Sequence, residues 1–219
     1  MDPTTSYEQV LPSDVLKRYD FCEVREAAVV LNGTNPAEFA DLVDVLANFR
    51  LTRTDIVTAG GNEGLIAKRL NEEFRRRGWR EGRHDQTVVS KLSLMPYKAA
   101  GETVPDVIES EVENDGVYKV DNLKNGIALD VEWNAKDGNL DRDLGAYSAL
   151  YDLGIIRGGV LITRSHEDLR ALGTELGRPG FVKTTTTTNL DKLVPRMTRG
   201  SAGGCPVLAI AITARCFKR

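Results

Sequence analysis

Apolar residues recur at helical spacing over residues 36–50. Phe39, Leu42, Val43, Leu46 and Phe49 share one side, and Pro36 suits the first turn. The same period returns after Gly60-Gly61-Asn62. Leu65, Ile66, Leu70 and Phe74 make a stripe, Asn62 stands where a cap is needed, and Gly78 stands where such a helix stops. Residues 13–31 read as a further helix, charged in its first half and apolar over 27–31. The pattern then changes. Residues 126–133 (GIALDVEW), 158–163 (GGVLIT) and 206–213 (PVLAIAIT) are short aliphatic runs of strand type. Between the first two, residues 141–153 carry Leu144, Tyr147, Leu150 and Tyr151 on one helical face. Strand, helix and strand in that order predict a right-handed βαβ unit. The predicted class is α/β or α+β: a mixed central sheet flanked by helices, with a helical N-terminal half.

The chain has 219 residues, 41% hydrophobic and 28% charged, which is a globular composition. Its 29 basic and 32 acidic residues sum to −3, which excludes a purely electrostatic nucleic-acid binder. The charge is uneven. Residues 101–145 hold 12 acids and 4 bases, and residues 157–219 hold 11 bases and 4 acids. The first block suits cation ligands and the second suits phosphates. His84 and His166 stand far apart, against a His-rich zinc site or a Ser-His-Asp triad. Cys22, Cys205 and Cys216 have no C-x-x-C spacing and read as free thiols. The longest apolar stretch, 206–212, falls well short of the roughly 20 residues that span a bilayer. The first ten residues lack a basic-then-apolar signal, so a soluble, cytoplasmic protein is expected.

The chemistry concentrates in residues 120–143. Asp130 and Glu132 sit two apart in a predicted strand and so share a face, with Leu129 and Val131 on the other. A hairpin turn at 124–126 would fold Asp121 back beside Asp130. Ionised carboxylates on a buried strand face need partners or raised pKa values. A hard divalent cation such as Mg²⁺ is a natural partner. An edge strand with an acidic solvent face is the alternative from the pattern alone.

The succession Asp121, nine residues to Asp130, then one apolar residue and Glu132 resembles the active-site motif of the PD-(D/E)xK nuclease superfamily. More closely, the chain is similar to the BglII family (BglII/BstYI-like) of type II restriction endonucleases. The resemblance rests on Gly60-Gly61-Asn62 and Arg77-Gly78-Trp79-Arg80-Glu81, on residues 121–133, and on Arg199-Gly200 followed by residues 205–210 (CPVLAI). It implies a restriction-endonuclease-like single domain, 1–219, with an N-terminal helical part (1–59) and a catalytic and DNA-recognition core (60–219). It implies Mg²⁺-dependent hydrolysis of double-stranded DNA at a short palindrome, leaving 5′-phosphate and 3′-hydroxyl. It also implies a homodimer and a cognate DNA methyltransferase.

Carried over, Asp121 and Asp130 are the metal-binding acids, Glu132 a base or further ligand, and Glu81 an upstream polar group of the site. Two departures stand out. Asp130 replaces the usual Glu, and Glu132 occupies the usual Lys position, which is Gln in BglII-like enzymes and Glu in BamHI-type enzymes. Lys136 is open to three readings: a stand-in for that lysine, a DNA contact, or a surface residue. Asn134, Lys136 and Arg164 follow strands and are expected to read DNA, with Lys183, Arg196 and Arg199 on its backbone. The basic run 75–80 with Trp79 is expected to be structural. A structure-directed repair or junction nuclease and an inactive DNA-binding module remain alternatives. A glycosidase is disfavoured, because only 6% of residues are aromatic.

Overall fold

A computed structural model describes residues 1–57, 62–133, 135–182 and 186–218. Gly60, Gly61, Asn134 and Lys183 lie outside the described residues. Short helices α1 (Tyr7–Val10) and α2 (Ser13–Leu16) precede strand β1 (Tyr19–Val24). Helices α3 (Ala27–Thr34), α4 (Pro36–Asn48), α5 (Arg53–Val57) and α6 (Asn62–Arg76) follow. Two long strands, β2 (Arg80–Leu94) and β3 (Asp106–Lys124), lead to β4 (Ile127–Val131). The rest is α7 (Gly138–Asp152), β5 (Gly158–Arg164), α8 (Glu167–Glu175), α9 (Leu190–Thr198) and β6 (Val207–Ile212).

The sheet order is β1-β6-β5-β4-β3-β2. The β4–β5 and β5–β6 pairs are parallel, and the β1–β6 and β3–β4 pairs are antiparallel. This is the predicted mixed sheet flanked by helices, with the three aliphatic runs at its centre. Every residue of β4, β5 and β6 is buried, as expected of strands covered on both faces. The chain forms two compact units, Met1–Gly82 with Val120–Arg219, and Arg83–Lys119. No helix among the described residues is long and apolar enough to cross a membrane.

Residues 13–31 are not one helix. β1 interrupts them and pairs with β6 from Tyr19↔Ile212 to Val24↔Val207. The ladder and the burial of Tyr19, Cys22 and Val24 outweigh the local helical pattern. Arg25 and Glu26, both with positive φ, then break the chain before α3. Buried Glu23 caps that helix, its carboxylate accepting from the Ala28 amide at 2.8 Å and from Ser6 N. Arg18 closes the C-terminal end of α4 by donating to the carbonyls of Leu46, Ala47 and Phe49.

Two adjacent glycines show which helices cover which face. A Cβ on Gly158 would meet Leu31 of α3 at 2.9 Å, and one on Gly159 would meet the Tyr147 ring of α7 at 2.2 Å. Neighbouring strand residues face opposite ways, so α3 and α7 cover opposite faces. Ile127, Leu129 and Val131 join the large core on the α3 side. The α7 side is left for Ala128 and Asp130.

The absence of a side chain at Gly159 lets the Tyr147 ring lie on the strand. Gly159→Ala should therefore cost about 1–3 kcal/mol by overpacking. Gly145→Ala, on the same helix with nothing within 4 Å, should be neutral or stabilising by roughly 0.4–1 kcal/mol. Thermal unfolding of the pair checks this; equal melting temperatures would refute the close approach.

Candidate active site

The hairpin between β3 and β4 builds the site. Its turn is Asn125-Gly126, with φ of 44° and 90°. Two consecutive positive φ values mark the hairpin turn that Asn-Gly favours, with Gly126 tolerating the left-handed backbone at no steric cost. Lys124 faces Ile127, Leu123 faces Ala128, and Asn122 faces Leu129. Continuing that register sets Asp121 beside Asp130, as the spacing suggested. The Asp121 amide donates to Asp130 Oδ1 at 2.7 Å. The turn end of the hairpin is tied to α4 by Lys124 Nζ, 2.8 Å from Asp41 Oδ2, which also accepts from the indole of buried Trp79. Trp79 is thus structural, as expected.

Asp130 is buried at 4% exposure beneath α7. The Tyr147 hydroxyl lies 2.7 Å from its Oδ2 and 2.8 Å from the carbonyl of Val160. That hydroxyl has one hydrogen and the carbonyl only accepts. Both contacts are hydrogen bonds together when Asp130 carries a proton and donates it to the tyrosine oxygen. Burial, reinforced by the charge of Asp143, pushes the Asp130 pKa up to about 7.

Glu132 follows the strand and points to the same side. Its carbonyl accepts from the hydroxyls of Thr163 at 3.1 Å and Thr188 at 2.8 Å. Its carboxylate meets Asn139 at 3.5 Å and lies 3.7 Å from Arg142 Nη2. Across from it stands an acid that the sequence reading did not nominate. Asp143 of α7 is 1% exposed and bonded through Oδ1 to Arg142 at 3.0 Å. Burial first, and then the charges of the neighbouring acids, raise both pKa values, that of Asp143 to about 8. The readable signal was position. Asp143 falls on the buried stripe of Leu140, Leu144 and Tyr147, where a helix otherwise places apolar residues.

Asp121 is half-buried, and burial raises its pKa while a hydrogen bond from the Val131 amide opposes the shift. The charge of Glu81 raises it further, which puts this exposed residue in electrostatic reach of the site. Arg75 and Arg142 act oppositely.

The other nominated residues are dispersed. Lys136 is exposed, and its backbone bridges to Thr187. Arg164 is fully buried, with Nε donating to the Thr188 carbonyl at 3.0 Å and Nη2 to Thr187 Oγ1 at 2.7 Å, beneath the Trp133 ring. It is built into the fold instead of being presented at a surface. Arg199 is largely exposed and bonds Asp141 and Ser201. Arg196 also bonds Asp141, joining α9 to α7.

Among the described residues no three His, Cys, Asp or Glu side chains converge as a ready metal site. The donors present are nevertheless all hard oxygens. Arg142 pairs with Glu132 and Asp143, and the burial of these acids raises their affinity for protons. A divalent cation would replace those protons, so the donor set fits a hard ion.

The sign of the pH dependence follows. An acid whose folded pKa is raised keeps its proton in the fold after the unfolded chain has lost it. Stability of the metal-free protein should therefore fall as pH rises from about 4 to about 7, by about 1.4 kcal/mol per unit for each such group. Asp130→Asn should flatten that slope. Mg²⁺ titrations in buffers of different ionisation enthalpy should show proton release near pH 6; binding without release would contradict an acid cluster.

The family model for restriction endonucleases BglII/BglIII matches residues 19–212. No curated protein matches the chain. The match takes in the acids of the β3–β4 hairpin, both central parallel pairs and the edge strand β1. With a family model covering most of its length, the chain belongs to the BglII/BglIII restriction endonuclease family.

Proposed function

We propose that the protein is a type II restriction endonuclease that cuts double-stranded DNA at a short palindromic site with Mg²⁺, leaving 5′-phosphate and 3′-hydroxyl ends. The observation that carries this reading is the cluster of acids on the α7 side of the sheet, in a chain of a restriction endonuclease family. Asp121 and Asp130 would hold the cation, with Glu132 or Asp143 as a further ligand. When bound, Mg²⁺ supplies charge to polarise the scissile phosphate and to acidify water.

The chain's own residues do the rest. Tyr147 and the Asp121 amide hold Asp130 in one rotamer. Glu132 accepts the proton of the attacking water, its strand end held by the hydroxyls of Thr163 and Thr188. Arg142, two-thirds exposed beside Glu132 and Asp143, offsets their charge when a phosphate approaches. Glu81 stays a supporting acid beside Asp121. Asn134, Lys136, Lys183 and Arg199 are the proposed DNA contacts. Buried Arg164 would act by bracing the segment at 187–188. A palindrome calls for a symmetric reader, hence a homodimer. In the cytoplasm a methyltransferase would protect the same sites.

Digestion of a long, sequenced linear DNA tests this. Discrete fragments should appear with Mg²⁺ and vanish with EDTA. Asp121→Asn and Asp130→Asn should each lower cleavage by at least about 10³-fold, the effect of losing several kcal/mol of charge stabilisation. Glu132→Gln should lower it by about 10²-fold or more. A smear would indicate a structure-directed nuclease. Intact DNA with a gel shift would indicate a binding module without catalysis.

A further inference from the structure

Arg142 stands on the exposed side of α7 and turns its head back into the acids. Successive residues of a helix point about 100° apart, so Arg142 and Asp143 do not face each other by position alone. The guanidinium nevertheless meets Asp143 Oδ1 twice, through Nε at 3.1 Å and Nη2 at 3.0 Å. Nη2 also lies 3.7 Å from Glu132 Oε1. The Arg142 side chain is 67% exposed, whereas those of Glu132 and Asp143 are 7% and 1% exposed. Its charge acts on Asp130 and Asp121 as well. One guanidinium on a long, solvated stem thus faces all four acids of the site. Asp143 Oδ2, on the same carboxyl group that Arg142 bonds, is buried with no hydrogen-bond partner among the described residues.

A buried acid cluster needs positive charge, and this one draws part of it from a group that can leave. Turning outward, Arg142 exchanges its acids for water. A divalent cation among the same carboxyl groups carries twice the charge of the guanidinium. The two would repel each other in proportion to the product of their charges, so they exclude one another. We propose that Arg142 holds the cation's place in the metal-free protein and, once displaced, turns outward to clasp a DNA phosphate. This inference rests on the reading of the acids as a Mg²⁺ site. A guanidinium suits the second position, because its planar fork of donors pairs bidentately with phosphate oxygens. Metal entry and phosphate binding are thereby coupled through one side chain, and each favours the other.

Calorimetric titration of the full-length protein with Mg²⁺ alone, at about pH 8.5 to weaken proton competition, tests the exchange without reference to cleavage. Arg142→Gln should bind Mg²⁺ at least about tenfold more tightly than the wild type, with Arg142→Lys in between. Arg199→Gln removes the same charge from a residue bonded to Asp141 of the same helix, and should leave the affinity unchanged. At saturating Mg²⁺, Arg142→Gln should still cut DNA at least about tenfold more slowly, because the phosphate has lost its clasp. Thermal unfolding reports whether each variant folds. If the glutamine variant does not, the lysine variant carries the test, and its Mg²⁺ affinity must exceed that of the wild type. Unchanged or weaker Mg²⁺ binding by folded Arg142→Gln overturns the proposal, as does equal tightening in Arg199→Gln. Cleavage by Arg142→Gln at or above the wild-type rate overturns the clasp. No Mg²⁺ binding by any of these proteins overturns the metal site and the exchange together. Tighter binding by Arg142→Gln, with DNA left intact even by the wild type, refutes the nuclease and leaves the place-holding role standing.

Discussion

The single hydrogen of the Tyr147 hydroxyl, set between Asp130 and the Val160 carbonyl, governs how the acids coexist. It couples the protonation of a strand residue to the seating of α7. The helix reaches the strand because Gly159 presents no side chain to the ring. Once α7 is seated, Asp143 and Arg142 follow at fixed positions, and Glu132 gains its partners. The site is therefore a consequence of one helix lying close on one strand. Its negative charge is tolerated because protons, and one exposed arginine, balance it.

The same balance accommodates Glu132 at the end of β4. Glu132 adds a further carboxyl to the side of the sheet that Asp130 and Asp143 already share. Burial and the charge of Glu132 raise the pKa of Asp143 to about 8, and Arg142 supplies a cation from α7. Asp130 is held at both of its oxygens, Oδ1 by the Asp121 amide and Oδ2 by the Tyr147 hydroxyl.

Much of this was legible in the residues. The three aliphatic runs were read as strands because buried parallel strands are apolar on both faces. The Asn125-Gly126 turn announced the hairpin that joins Asp121 to Asp130. β1 was hidden, because a short strand whose first half is only partly buried has no alternation to distinguish it from the helices on either side. The outer parts of β2 and β3, within Arg83–Lys119, were hidden for another reason: apolar residues remain exposed on both faces, so no clean period appears. Arg164 looked like a surface residue because arginine at a strand end usually is one. Its burial depends on Thr187, Thr188 and Trp133, which lie apart in sequence and meet only in the fold.

The Asn125-Gly126 hairpin has an implication for how such a chain can diverge. Because side chains alternate along both strands, the number of residues between Asp121 and Asp130 carries a parity. Adding one residue to each strand lengthens the hairpin, and both acids still share a face. Adding one residue to a single strand turns its acid toward the opposite core, unless a bulge absorbs the extra residue. Insertions here are therefore filtered by whether they come in matched pairs. The separation of the two acids along the chain is thus free to drift in steps of two, while their juxtaposition in space is preserved.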